Sequence, residues 1–141
     1  MLQNTVKAQE TATVFDQALA DSLGADAYGM RNYYLVMLRT GPAVIEDKSI
    51  RDSLFRGHMN NISQLAESGQ LVVAGPLAAN SLQYRGLFIF KCSSEEEVRA
   101  LLQADPTIEA KLFDADIIRW YGSAALPCYL PYHRKIEKTR H

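Results

Sequence analysis

His58 stands in a pattern that invites chemistry. It follows Leu54 and precedes Ile62 by one helical repeat each, so on a helix it shares the face that those apolar side chains turn inward. An imidazole held on such a face can give or take a proton near neutral pH. The same position also suits a histidine at the edge of a core, bonded to a carbonyl, and spacing alone does not separate the two. Asp105 is the second residue of interest. Counted from Val98, Leu101 and Leu102, it falls on the inward face at the end of a helix. A carboxylate there opposes the helix dipole, at a cost of roughly 0.3–1 kcal/mol. Asp105-Pro106 fits equally well as an N-cap followed by proline at the first position of a new helical turn. Both readings stay open on local grounds. If the two helices lie side by side, His58 and Asp105 can meet, the carboxylate orienting or charging the imidazole.

Other residues join this pair as candidates for touching a substrate. Asn61, one turn beyond His58, offers a polar contact or is a solvated helix residue. Trp120, Tyr121 and Ser123 stand around Gly122 at the end of the last strand-like segment, where aromatic rings either wall a pocket or fill a core. Arg39 and Arg119 each close a strand-like segment and suit an anionic group or a surface position. No metal or cofactor is expected. One inward histidine and one aspartate are too few for a closed zinc site, and Cys92 and Cys128 lack the Cys-x-x-Cys spacing of one. Glycine-rich phosphate loops, nucleophile elbows and His-Glu-x-x-His motifs are missing from the sequence.

The elements that must position these residues follow from periodicity. Val14, Phe15, Ala18 and Leu19 predict a short helix within residues 10–23, with Gly24 as its left-handed cap. Residues 33–39 are aromatic and branched and read as a strand ended by Gly41-Pro42. Residues 49–68 carry a helical apolar stripe stopped by Gly69. Leu71 to Ala74, closed by a Gly75-Pro76 turn, and Leu87 to Cys92 are strands. Ser94 and Glu97 form a capping box that starts the next helix, which ends near Asp105-Pro106. A short helical piece leads to Lys111, Phe113 to Tyr121 is the last strand, and residues 132–138 allow one or two exposed helical turns.

The order is therefore β-α-β-β-α-β, the split βαβ or ferredoxin-like pattern of an α+β fold. The domain spans residues 33–126, with an N-terminal helical extension over 1–32 and a tail over 127–141. Two helices cover one sheet face, yet the first and third strands are apolar on both. Leu35, Met37, Phe88 and Phe90 exceed what two helices can hide, which predicts a homodimer with two sheets face to face.

With 48% hydrophobic and 22% charged residues, the composition excludes a disordered chain. Fifteen basic residues against sixteen acidic ones give a formal charge of -1, which argues against a nucleic-acid partner. No apolar run approaches the ~20 residues that cross a bilayer, and no secretory pattern opens the chain. The expectation is a cytoplasmic protein without a membrane partner.

The segments Tyr34 to Pro42, Gly57-His58-Met59-Asn60-Asn61-Ile62, Leu65 to Gly69, Leu71 to Pro76, Ala104-Asp105-Pro106 and Trp120 to Leu126 together resemble the YCII-related (YciI-like) family, in the family's own order. The resemblance implies a dimeric α+β barrel on the ferredoxin-like fold. It also implies that His58 and Asp105 share a pocket as an active-site pair. Most members have no established reaction, and some relatives are linked to elimination chemistry on halogenated aromatic rings. The extension before Tyr33 and the tail after Leu126 depart from the family pattern. The expected function is a cofactor-free acid–base enzyme, lyase- or isomerase-like, acting on a small organic molecule. The alternative is a non-catalytic module that binds or senses a small ligand in the same pocket.

Overall fold

The structure, a computed structural model, describes residues 13–140. Four strands, β1 (Met30–Thr40), β2 (Leu71–Pro76), β3 (Tyr84–Phe90) and β4 (Phe113–Ser123), form one antiparallel sheet in the order β2-β3-β1-β4. A long helix over Lys48–Glu67 joins β1 to β2, and a helix over Glu95–Gln103, followed by a short one over Pro106–Glu109, joins β3 to β4. A further helix, α1 (Gln17–Leu23), precedes the sheet; the three connecting helices are α2, α3 and α4 in chain order. Each crossover skips over one strand, which is the split βαβ arrangement that the sequence predicts. A 3-10 turn over Leu126–Tyr129 and helix α5 (Leu130–Ile136) close the described chain.

Local chemistry sets the helix ends. Asp47 caps α2 by accepting the N–H groups of Ser49 and Ile50 at 2.8 and 3.2 Å. Ser94 caps α3 by accepting the Glu97 N–H at 3.2 Å, and the Glu97 carboxylate accepts the Ser93 N–H at 2.9 Å. The capping box thus reaches one residue further back than its usual form. The predicted first helix is shorter than its apolar spacing implies. Asp16 is its N-cap, so Val14 and Phe15 precede it and lie exposed, while Gly24 supplies the left-handed cap at φ 66°. Residues 10–12 of that expectation lie outside the described residues.

Register decides which face each side chain takes. Val36 pairs with Phe88 and Tyr34 with Phe90, so these side chains point to the helices. There they pack with Leu38, Leu65, Leu71, Val98, Leu102 and Ile108 into the core. Leu35 and Met37 pair with Ile89 and Leu87 on the opposite face. This corrects the sequence reading in part. Phe88 and Phe90 are fully covered within one chain, and the apolar open face consists of Leu35, Met37, Leu87, Ile89 and the half-exposed Ile118. One end of that face is already closed. Tyr33 is buried against Trp120, and its hydroxyl donates to the Ser123 carbonyl at 2.8 Å. The Tyr129 hydroxyl donates across to the Val72 carbonyl.

Gly75-Pro76 is a second correction: both residues belong to β2, paired with Leu87 and Gly86. Proline has no N–H to give, and it is tolerated because β2 is an edge strand. Both thiols are free, Cys92 buried and Cys128 exposed. Burial pushes the Cys92 thiol up to about 11, which leaves it inert.

The junction that matters for the site is between α2 and α4. A Cβ at Gly57 would stand 2.7 Å from the Pro106 ring, so the two helices touch there at a distance only glycine permits. Alanine is the better helix former by about 1 kcal/mol. Overpacking of this kind costs typically ~1–3 kcal/mol. Gly57→Ala is therefore expected to lose stability in a urea titration. A gain would mean that α4 gives way freely.

Candidate functional site

His58 sits in the middle of α2 and points inward with Leu65, between the helix layer and the sheet. Its ring meets Phe113 edge-on at 5.7 Å and lies over Phe88 at 6.1 Å, so two aromatic rings fix its plane. Nδ1 lies 2.6 Å from Oδ2 of Asp105. The other ring nitrogen, Nε2, has no hydrogen-bond partner among the described residues, and 11% of the side chain remains open.

Asp105 combines the two roles that local reasoning left open. It is the N-cap of α4, with Pro106 at the first helical position, and it also faces His58. Its two oxygens are divided between these tasks. Oδ1 accepts the N–H of Thr107 at 2.9 Å and the Thr107 hydroxyl at 2.6 Å, while Oδ2 faces the imidazole. The residue is completely buried. Burial alone would raise its carboxyl pKa. The donors from His58 and Thr107 outweigh that and hold it below the usual carboxylate value. An ionised carboxylate on Nδ1 keeps a proton on that nitrogen and leaves Nε2 with its lone pair turned outward. The arrangement can accept a proton at Nε2 and return it, with the resulting imidazolium stabilised by Asp105.

The remaining sequence candidates divide. Asn61 is half-buried one turn along α2 from His58. Trp120, Tyr121 and Ser123 do not join the pair within one chain. They lie at the far end of β4 from Phe113, roughly 23 to 33 Å away at ~3.3 Å per strand residue. Trp120 packs on Tyr33, the Tyr121 hydroxyl donates to Asp26, and the Ser123 hydroxyl accepts the Ala125 N–H at 3.2 Å. The strand is long enough to separate its two ends, a distance that motif order along the sequence does not display. Arg39 is engaged with Asp116 on the open face through two bonds of 2.7 and 3.0 Å, so its charge is already matched. No group of three or more metal-binding side chains occurs among the described residues. Thr107, Phe113 and Gly57 also shape the site, in roles that the sequence does not by itself mark. Thr107 has one local signal, its place two residues after a capping aspartate; the other two emerge only from packing between elements.

The pattern of the YCII-related domain matches residues 32–121, most of the sheet and all of the helical layer over it. The chain belongs to the YCII-related family. Among solved structures, it is similar to 5-chloro-2-hydroxyhydroquinone dehydrochlorinase (TftG) from Burkholderia phenoliruptrix AC1100 in complex with 2,5-dihydroxybenzoquinone. The identity is 22%, the match covers 62% of this chain and 92% of that one, and the TM-score is 0.48. None of the curated proteins compared with the chain matches it. No helix among the described residues is long and apolar enough to cross a membrane.

Asp105 has a consequence for stability. Because its folded pKa is depressed, the charged carboxylate contributes stability that is present above the ordinary value of about 4 and is lost as pH falls through the folded value. Asp105→Asn should cost roughly 1–3 kcal/mol at neutral pH, the worth of charge-assisted hydrogen bonds. It should also flatten the acid side of the stability curve, read by denaturant unfolding between pH 2 and 7. A variant curve parallel to the wild type would show that the carboxylate is not held ionised.

Proposed function

We propose that this protein is a cofactor-free acid–base catalyst acting on a small organic molecule, with His58 as the proton acceptor and donor and Asp105 as its orienting carboxylate. One observation carries the reading: a fully buried carboxylate holds Nδ1, while Nε2 is left without a partner on the part of the ring that stays open. A histidine serving only as a core residue gains nothing from an unpartnered second nitrogen. Removal of a proton from an acidic C–H or O–H, followed by its return elsewhere or by loss of a leaving group, is the chemistry such a pair serves. Asn61, half-buried one turn along α2 from His58, is assigned a contact with the substrate. Trp120, Tyr121 and Ser123 bear on the substrate only if a second chain brings them near.

Support for a homodimer comes from the open sheet face, where Leu35, Met37, Leu87 and Ile89 lie half-buried beside the exposed Ile118. Burial of such a face against a copy of itself makes a closed, two-fold assembly. The free thiols of Cys92 and Cys128 suit a reducing, cytoplasmic setting. Light scattering should return twice the chain mass at micromolar concentration. Met37→Glu, on the open face, should return the single chain mass with the fold retained; a wild-type monomer would sink this part of the proposal.

For the activity, small organic acids and phenols are screened by thermal shift, and stabilising compounds are followed by mass spectrometry for conversion. Conversion should disappear in His58→Gln and fall in Asp105→Asn, general acid–base catalysis being worth about 10²–10⁴-fold. Binding that survives both substitutions, with no conversion by the wild type, would instead make the protein a ligand-sensing module.

A further inference from the structure

We propose that Thr107 is a positioning residue of this site: its hydroxyl locks the Asp105 carboxylate so that His58 carries its proton on Nδ1 and presents Nε2 as the base. The word base rests on the acid–base reading above; the locking does not.

The Thr107 hydroxyl is one that the fold does not require. Capping of α4 is complete with the Thr107 N–H on Asp105 Oδ1 at 2.9 Å. The side chain is completely buried, and valine has nearly its shape. A buried hydroxyl without a partner costs roughly 1–3 kcal/mol, so an apolar residue would be the simpler filling. Here the hydroxyl donates to the same Oδ1, at 2.6 Å. Two donors from one residue on one oxygen oppose rotation of the carboxylate about its Cβ–Cγ bond, since rotation breaks both. The second oxygen, Oδ2, is then fixed at 2.6 Å from Nδ1 of His58.

The hydroxyl acts on the imidazole as well. Its oxygen lies 3.4 Å from Nδ1, and its proton is committed to Asp105. What it turns towards the ring is therefore a lone pair. Nδ1 faces two acceptors and no donor, so the tautomer protonated on Nε2 would set three lone pairs against one another. The tautomer protonated on Nδ1 meets both acceptors with its hydrogen. Thr107 thus selects the state in which the outward nitrogen is free to accept a proton.

Nitrogen-15 spectra of the imidazole in the full chain, at a pH where His58 is neutral, test this without any substrate. In the wild type the two ring nitrogens should give one protonated and one unprotonated shift, assigned to Nδ1–H. In Thr107→Val and Thr107→Ala the share of the Nε2–H form should rise about fivefold, the factor that one net hydrogen bond is worth. Thr107→Ser, which keeps the hydroxyl, should restore the wild-type pattern. Unchanged shifts in a folded hydroxyl-free variant would overturn the proposal. Should neither of these variants fold, the wild type still decides. Its Thr107 hydroxyl proton should exchange slowly and lie within nuclear Overhauser range of the His58 Nδ1 proton; fast exchange without that contact would overturn the role. A negative result here removes Thr107 and leaves the acid–base reading standing. A compound screen without conversion does the reverse.

Discussion

The bond between Nδ1 of His58 and Oδ2 of Asp105 joins two elements that lie 47 residues apart along the chain. His58 belongs to the first crossover and Asp105 to the second, and their helices become neighbours because β3 and β1 lie between the strands they connect. A buried carboxylate is costly unless donors surround it. Asp105 is tolerated because α4 begins on it, Thr107 donates to it twice, and His58 completes the set. The close passage of α2 over Pro106 at Gly57 lies beside that bond in the chain, one residue from each partner. Packing, capping and a possible reaction therefore meet at one carboxyl group.

Much of the fold was legible because each strand and helix carries its own period. The long helix shows its apolar stripe through Leu54, Ile62 and Leu65, and the third strand is a run of apolar residues after Gly86. Face assignment was harder. Phe88 and Phe90 read as residues of an uncovered face because Leu87 to Phe90 is apolar at every position, and only the register with Val36 and Tyr34 turns them towards the helices. Gly75-Pro76 looked like a turn because proline ends most strands; an edge position removes that objection. The start of the first helix followed Asp16, a cap, rather than the apolar spacing of Val14 and Phe15.

The site was legible to the extent that inward-facing polar residues stand out against apolar neighbours. His58 and Asp105 each break an apolar stripe, and the split βαβ order places their helices side by side. Local reasoning left Asp105 divided between cap and partner because it treats a side chain as having one role. A carboxylate has two oxygens, and here each takes one of the roles. Trp120, Tyr121 and Ser123 share a motif with one another but not a location with His58, since seven to ten strand residues carry the chain from Phe113 to the opposite end of the sheet.

The outer edge of β2 limits how copies of this chain can join. A free strand edge offers a ladder of donors and acceptors to any passing strand. Here Pro76 withholds a donor at one end, the irregular step between Leu71 and Val73 bends the ladder, and the Tyr129 hydroxyl already occupies the Val72 carbonyl. Continuous sheet growth through this edge, the route to fibres, is thereby opposed. The C-terminal segment that supplies Tyr129 thus takes one acceptor of the strand out of reach, and its loss would return the Val72 carbonyl to any strand that came near.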